Sequence, residues 1–258
     1  MNYQLRIAHL YPEQMNIYGD RGNILTLRQR CLWRNIAVDV MPIGVGQHVD
    51  WDTVDIAFFG GGQDSGQTLI ADDFVKRQGS ALRKAIDDGL VLLAICGGYQ
   101  MLGHYFLTHT GEQLPGIGAL DVHTVGSTER LIGNTLIETS EIRRWDEGHA
   151  GEPHPPVRLV GFENHSGRTF LGSGVRSMGK VLVGKGNNGE DDSAGAVYKN
   201  TYGCYMHGSL LPKNPQLADH LLGLALERRY GKAIALSALD DQFEQIAQRT
   251  MIERLASA

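Results

Sequence analysis

Residues Leu90–Gln100 read LVLLAICGGYQ, and the organisation of the chain follows from this stretch. Leu90–Ile95 is apolar without a break, the pattern of a strand covered on both faces in a parallel sheet rather than one alternating between core and water. Gly97-Gly98 then interrupt the run, and Tyr99-Gln100-Met101-Leu102 resume it with helical character. Cys96 therefore stands at the exit of a buried strand, just before a helix. A nucleophile in that place needs small neighbours, because side chains on the sharp turn would collide with the sheet or the substrate. A helix N-terminus also carries partial positive charge, which favours a thiolate over a thiol. The competing reading is a small cysteine packed in the core, the common fate of a free thiol.

Working outward, Leu5–Leu10, Ile36–Pro42 and Asp55–Phe59 read as further strands, with helices expected over Asn23–Arg34 and Asp72–Asp88. Tyr11–Gly22 is a long polar loop. Strands separated by helices of this length predict an α/β fold with a doubly wound, mostly parallel sheet flanked by helices. The second half is richer in strand signals: Gly118–Val125, Asn134–Thr139, Val157–Glu163 and Lys180–Val183, separated by Gly, Asn and Asp turn residues. Glu141–Pro156 and Gly184–Gly195 read as exposed loops, and helices resume at Pro215–Tyr230 and Asp240–Ala256. No internal repeat or clean linker divides the chain, so a single domain over residues 1–258 is expected.

Composition narrows the function classes. Lys and Arg number 24 against 29 Asp and Glu, a net charge of −5, which disfavours broad contact with nucleic acid or an anionic membrane. The N-terminus, MNYQLRIAHLY, lacks the basic and long apolar regions of a signal peptide. Gly89–Thr108 carries no Asp, Glu, Lys or Arg, but Gly97-Gly98, Gln100 and a His104 expected in mid-helix argue against a membrane span. Three cysteines, Cys31, Cys96 and Cys204, form neither a closed disulfide set nor a CxxC motif. A reducing, cytoplasmic setting fits, and no metal site is expected.

Two further motifs bear on chemistry. Gly60-Gly61-Gly62-Gln63-Asp64 follows the third strand, and exposed backbone N–H groups at a strand end are what an oxyanion hole requires. An ordinary turn or a phosphate loop reads equally well, although no Gly-Lys-Ser/Thr follows. A cysteine nucleophile also needs a base, and the chain has ten histidines. His207 follows an apolar, aromatic run, Tyr202-Gly203-Cys204-Tyr205-Met206, and precedes Gly208. His165, in Glu163-Asn164-His165-Ser166-Gly167-Arg168, is an equal candidate.

Taken together, strand–GGGQD, strand–ICGGYQ and the late YMHG resemble the class I glutamine amidotransferases of the cobyric-acid-synthase type. Within them, the chain is similar to the glutaminase subunits of lipid II isoglutaminyl synthases. The resemblance runs through Asn16–Asn23, Glu129–Asn134, Phe162–His165, Gly186–Gly189 and His207–Pro215. It implies Cys96 as nucleophile and His207 as its base. It implies an oxyanion held by backbone N–H of a glycine in Gly60–Gly62, with Gly61 the choice, and of Gly97. It also implies Arg130 and Gln100 as substrate-binding residues. A guanidinium fork suits the α-carboxylate of glutamine, whereas a solvated surface arginine is the alternative for Arg130.

One departure stands out. Many class I enzymes carry an acid two residues after the catalytic histidine, and that position here is Ser209. Either a distant acid in this chain or one from a partner subunit must then hold the imidazole, and the partner is the preferred source. The chain has no ATP-binding loop of its own, so no cofactor is expected in it. The resemblance implies a Mur-ligase-like partner of the MurT kind, using ATP and Mg²⁺, that amidates the D-glutamate of lipid II. Rival readings are a glutaminase for another amidation of the cobyric acid synthase type, a stand-alone cysteine hydrolase, and a binding subunit with an inert Cys96.

Overall fold

A computed structural model describes residues 3–62 and 64–256. Along the chain run β1 (Gln4–Leu10), α1 (Arg21–Trp33), β2 (Ala37–Ile43), β3 (Ile56–Phe59), α2 (Asp64–Asp73), α3 (Gly79–Asp87), β4 (Val91–Ile95) and α4 (Gly97–Leu102). There follow β5 (Tyr105–Leu107), β6 (Gln113–Pro115), β7 (Val122–Thr139), β8 (Val157–Leu171), β9 (Gly179–Val183) and β10 (Ser193–Ala194). β11 (Ala196–Tyr198), β12 (Thr201–Cys204), α5 (Pro215–Tyr230) and α6 (Gln242–Ala256) complete the order.

The first sheet has the order β2-β1-β3-β4-β12-β11, parallel except for the edge strand β11. β3 and β4 at its centre are buried at every residue, which is why their sequences are apolar runs rather than alternations. α5 packs on both of them. It begins at Pro215 and ends before Gly231, the boundaries expected of a proline at the first turn and a left-handed cap. The expected doubly wound, mostly parallel sheet is present.

A second, largely antiparallel sheet, β6-β5-β7-β9-β10 with β8 on the other side of β7, covers the C-terminal ends of the first. Here the sequence reading fell short. The separate strands expected at Gly118–Val125 and Asn134–Thr139 are one strand, β7, with an irregular register between Gly126 and Leu131. β8 likewise continues past Glu163 to Leu171, so His165 lies in a strand.

Other expectations also change. The single helix expected over Asp72–Asp88 is α2 and α3 joined by a wider turn at Phe74–Gln78. In that turn, Gln78 is buried and its Nε2 donates to the carbonyl of Gln47 at 2.7 Å. His104 is not in mid-helix: α4 stops at Leu102, and Nε2 of His104 meets Asp121 at 2.9 Å on the surface. The polar segment Glu141–Pro156 is anchored rather than free. Trp145 within it is buried beneath α5, so close that a side chain on Gly223 would overlap the indole. Among the described residues no helix is long and apolar enough to cross a membrane.

Candidate active site

The parallel strands of the first sheet deliver their following loops to one edge, the usual place for a site in an open α/β sheet. The loop after β1 brings Asp20, the loop after β3 brings Gly60–Gly62, the turn after β4 brings Cys96, and the segment after β12 brings His207. Gln63 of the GGGQD motif lies outside the described residues.

Cys96 sits on a strained turn, with φ 51° and ψ −108°, a conformation costing about 1–3 kcal/mol for a residue with a side chain. Backbone hydrogen bonds hold it there: its N–H donates to Cys204 at 2.8 Å, and its carbonyl accepts from Gln100 at 2.9 Å. Gly98 must be glycine, since a Cβ would stand 2.6 Å from the carbonyl oxygen of Phe59. This is the strand-to-helix elbow read from LVLLAICGGYQ.

His207 is fully buried and is clasped by β8, giving its N–H to Phe162 at 2.6 Å and accepting from Phe162 N–H at 3.2 Å. Its ring lies close against the glycine loop: a Cβ on Gly61 would fall 2.5 Å from Cε1. Nδ1 faces the two carboxylate oxygens of Asp20 at 3.1 and 3.2 Å, and Asp20 is itself fully buried. Burial alone would lower the proton affinity of this imidazole. The charge of Cys96, together with the hydrogen bond and charge of Asp20, outweighs it, and the pKa is pushed up to about 10. Nε2 of His207 is buried and has no hydrogen-bond partner among the described residues.

An acid placed to hold the imidazole is thus present in this chain, one of the two sources expected for it. Asp20 was missed because it lies in a polar loop remote in sequence, and only folding brings it to His207. A signal was present in Ser209. Its hydroxyl donates to the carbonyl of Gly19 at 2.7 Å, so the position that elsewhere carries the acid here ties down the loop bearing Asp20. Asp20 also accepts the N–H of Gly61 at 2.7 Å. That donor, expected to hold an oxyanion, is therefore committed to a carboxylate. Gly62 lines the cavity, and Gly97 opens α4, where first-turn N–H groups lack intrahelical acceptors.

A cavity of about 420 Å³ opens over Cys96, walled by Tyr18, Gln67, Gln100, Arg130, Asn164 and His165. It lies toward the small end of the range for small-molecule sites, about 300–1,000 Å³. Arg130 is exposed at the rim and directs Nε and Nη2 at Oδ1 of Asn164, at 3.0 and 2.6 Å. Asn164 in turn donates to the hydroxyl of Tyr18 at 2.8 Å, and the Tyr18 ring stands edge-on to His207 with centroids 5.0 Å apart. Arg130 is therefore braced across the mouth. Gln100, in contrast, is engaged within the protein: Oε1 accepts from Gln67 and Nε2 donates to Tyr205, both at 3.0 Å.

His165 lies in the same wall but is held differently from His207. Its ring stacks on Tyr205 at 3.6 Å, and Nδ1 points at the carbonyl of Gly167 at 2.7 Å. Burial, with smaller contributions from Arg168, His207 and Arg130, lowers its pKa to about 4 despite the bond to Gly167.

A family model for the CobB/CobQ-like glutamine amidotransferase domain matches residues 6–215. The chain belongs to this family. Over 252 residues, this amidotransferase is 40% identical to the lipid II isoglutaminyl synthase (glutamine-hydrolyzing) subunit GatD of Staphylococcus aureus (strain N315). That match covers 98% of the chain and 96% of the relative. The subunit of the same name from Streptococcus pneumoniae (strain ATCC BAA-255 / R6) is 42% identical over 248 residues, covering 94% and 88%. Among solved structures, PurLQS from Thermotoga maritima superposes with a TM-score of 0.55 at 16% identity, covering 90% of this chain and all of that one. That likeness shows the fold alone. The resemblance to cobyric-acid-synthase-type amidotransferases is borne out, and the chain is a glutamine amidotransferase.

Proposed function

We propose that this amidotransferase is the glutaminase half of a two-subunit enzyme that amidates a lipid-linked cell-wall precursor. One observation carries the glutaminase part: Cys96 on a strained elbow, beside an imidazole held by Asp20, under a cavity rimmed by Arg130. The thiolate of Cys96 attacks the side-chain carbonyl carbon of L-glutamine, forming a C–S bond. The oxygen that becomes negative is met by backbone N–H groups, for which Gly62 and Gly97 are the candidates. His207, protonated in the resting pair, gives its proton to the departing nitrogen as the C–N bond breaks, releasing ammonia. Water then attacks the glutamyl thioester while His207 takes its proton. Glutamate leaves, and the thiolate–imidazolium pair is restored. Asp20 keeps Nδ1 as the donor side of the ring and stabilises the positive imidazole. Nη1 of Arg130 is the donor offered to the substrate α-carboxylate.

Ammonia is useful only where something consumes it. The relatives' name, a subunit of lipid II isoglutaminyl synthase, supports a partner subunit, for which we propose a MurT-like Mur ligase. That partner would use ATP and Mg²⁺ to activate the D-glutamate carboxylate of lipid II and convert it to D-isoglutamine in the cytoplasm. Supplying amide-labelled glutamine to the reconstituted pair tests this reading. Label should appear in the stem-peptide amide only when both subunits and ATP are present. Glutamine consumption with no labelled acceptor would assign the ammonia to another amidation.

A further inference from the structure

Two buried acceptors in the cavity wall have no donor among the described residues: Nε2 of His165 and Oε1 of Gln67. They are 3% and 2% exposed. The histidine is unambiguous in its role. A carbonyl can only accept, so Nδ1, facing Gly167 at 2.7 Å, carries the ring proton and Nε2 presents a lone pair. The lowered pKa keeps the ring neutral at physiological pH. Gln67 has already spent Nε2 on Gln100 at 3.0 Å, which leaves its oxygen as the second acceptor. Buried acceptors without donors are uncommon in folded proteins and call for an explanation. A carboxylate placed against them would be repelled, whereas a group carrying several N–H donors would satisfy both.

The two acceptors share a wall with Arg130. His165 follows Asn164, the residue that braces Arg130, and pairs with Leu131 across β7 and β8. With the α-carboxylate of glutamine at Arg130 and its carboxamide at Cys96, the α-ammonium, one bond from the carbon bearing that carboxylate, falls on the Arg130 side. We propose that His165 Nε2 and Gln67 Oε1 form the subsite for the substrate α-ammonium group, making His165 a specificity-determining residue rather than a base. This rests on the glutaminase reading given above.

The test compares L-glutamine with 4-carbamoylbutanoate, the same amide lacking the α-amino group, as substrate and as competitive inhibitor. The wild type should prefer glutamine by about 100-fold or more in kcat/KM, as a site built to pair an N–H group rejects the analogue without it. His165→Phe keeps a ring to stack on Tyr205 but removes the lone pair. It should lower kcat/KM for glutamine by about 10- to 100-fold, chiefly through KM. Its handling of 4-carbamoylbutanoate should change by less than about twofold. His165→Gln, which returns an amide acceptor, should recover part of the preference. An equal fall with both amides in His165→Phe, or no preference in the wild type, overturns the subsite. A wild type that hydrolyses neither amide overturns the glutaminase reading itself, so the two failures are distinguishable.

Discussion

The carboxylate of Asp20 lies 3.1 Å from Nδ1 of His207, although 187 residues separate them in the chain. Both side chains are fully buried, so neither exchanges this contact for water. Asp20→Asn preserves the shape but offers Nδ1 an amide in place of a charge, and allows the ring to settle in the wrong tautomer. We expect kcat for glutamine hydrolysis to fall by about 10²- to 10⁴-fold with little change in KM. Steady-state ammonia release from the isolated chain measures this directly. A loss smaller than about threefold would return the orienting role to a partner subunit.

Cys96 and Asp20 together set a pH dependence at His207. The His207 pKa is raised to about 10, so the imidazolium that protonates the leaving nitrogen is present below that pH and lost above it. The alkaline limb of kcat/KM should therefore lie near 10, and Asp20→Asn should move it down by part of the shift, because the charge of Cys96, the largest contribution raising it, remains. An alkaline limb that does not move in the variant would show that Asp20 does not stabilise the charged ring.

In the proposed mechanism, Arg130→Ala removes a charge-assisted contact to the substrate of about 1.5–3 kcal/mol. KM for glutamine should rise by about 10- to 150-fold, with the fold intact by circular dichroism. Arg130→Lys should recover only part of this, because an ammonium cannot keep Asn164 engaged and still offer a second donor in the plane of the fork. An unchanged KM in Arg130→Ala would leave the residue a solvated surface arginine.

Stability predictions follow from the segment Glu141–Pro156. The Trp145 ring fills the space that a side chain on Gly223 would need, so Gly223→Ala should destabilise the fold by about 1–3 kcal/mol through overpacking. Chemical denaturation checks the loss, and full glutaminase activity per folded molecule should remain. A variant as stable as the wild type would mean that Trp145 is free to leave α5.

What the sequence made legible follows the range of the interactions involved. The elbow at Cys96 is local: an apolar run, a cysteine and two glycines define it within a few residues, and the fold has it there. The sequence makes β7 and β8 look short because Gly126-Ser127-Thr128 and Ser166-Gly167 resemble turns. In the fold those residues sit within or beside long paired strands whose register absorbs the irregularity. Trp145 reads as part of a polar loop because its neighbours are charged, and its burial comes from packing against α5. Asp20 lies in the Asn16–Asn23 motif, but nothing in its neighbourhood marks it as the acid for His207. Its role depends on β1 and β12 ending at the same edge of one sheet, and on Ser209 tying the Gly19 carbonyl in place.

In the proposed mechanism, glutamine hydrolysis passes through a covalent glutamyl thioester at Cys96. Rapid acid quenching of the protein during glutamine turnover, followed by peptide mass analysis, tests it most directly. The peptide containing Cys96 should carry one glutamyl group, and that species should vanish in Cys96→Ser along with ammonia release. A Cys96→Ser protein that still hydrolyses glutamine at more than a few per cent of the wild-type rate would contradict it, as would a glutamyl group on any residue other than Cys96.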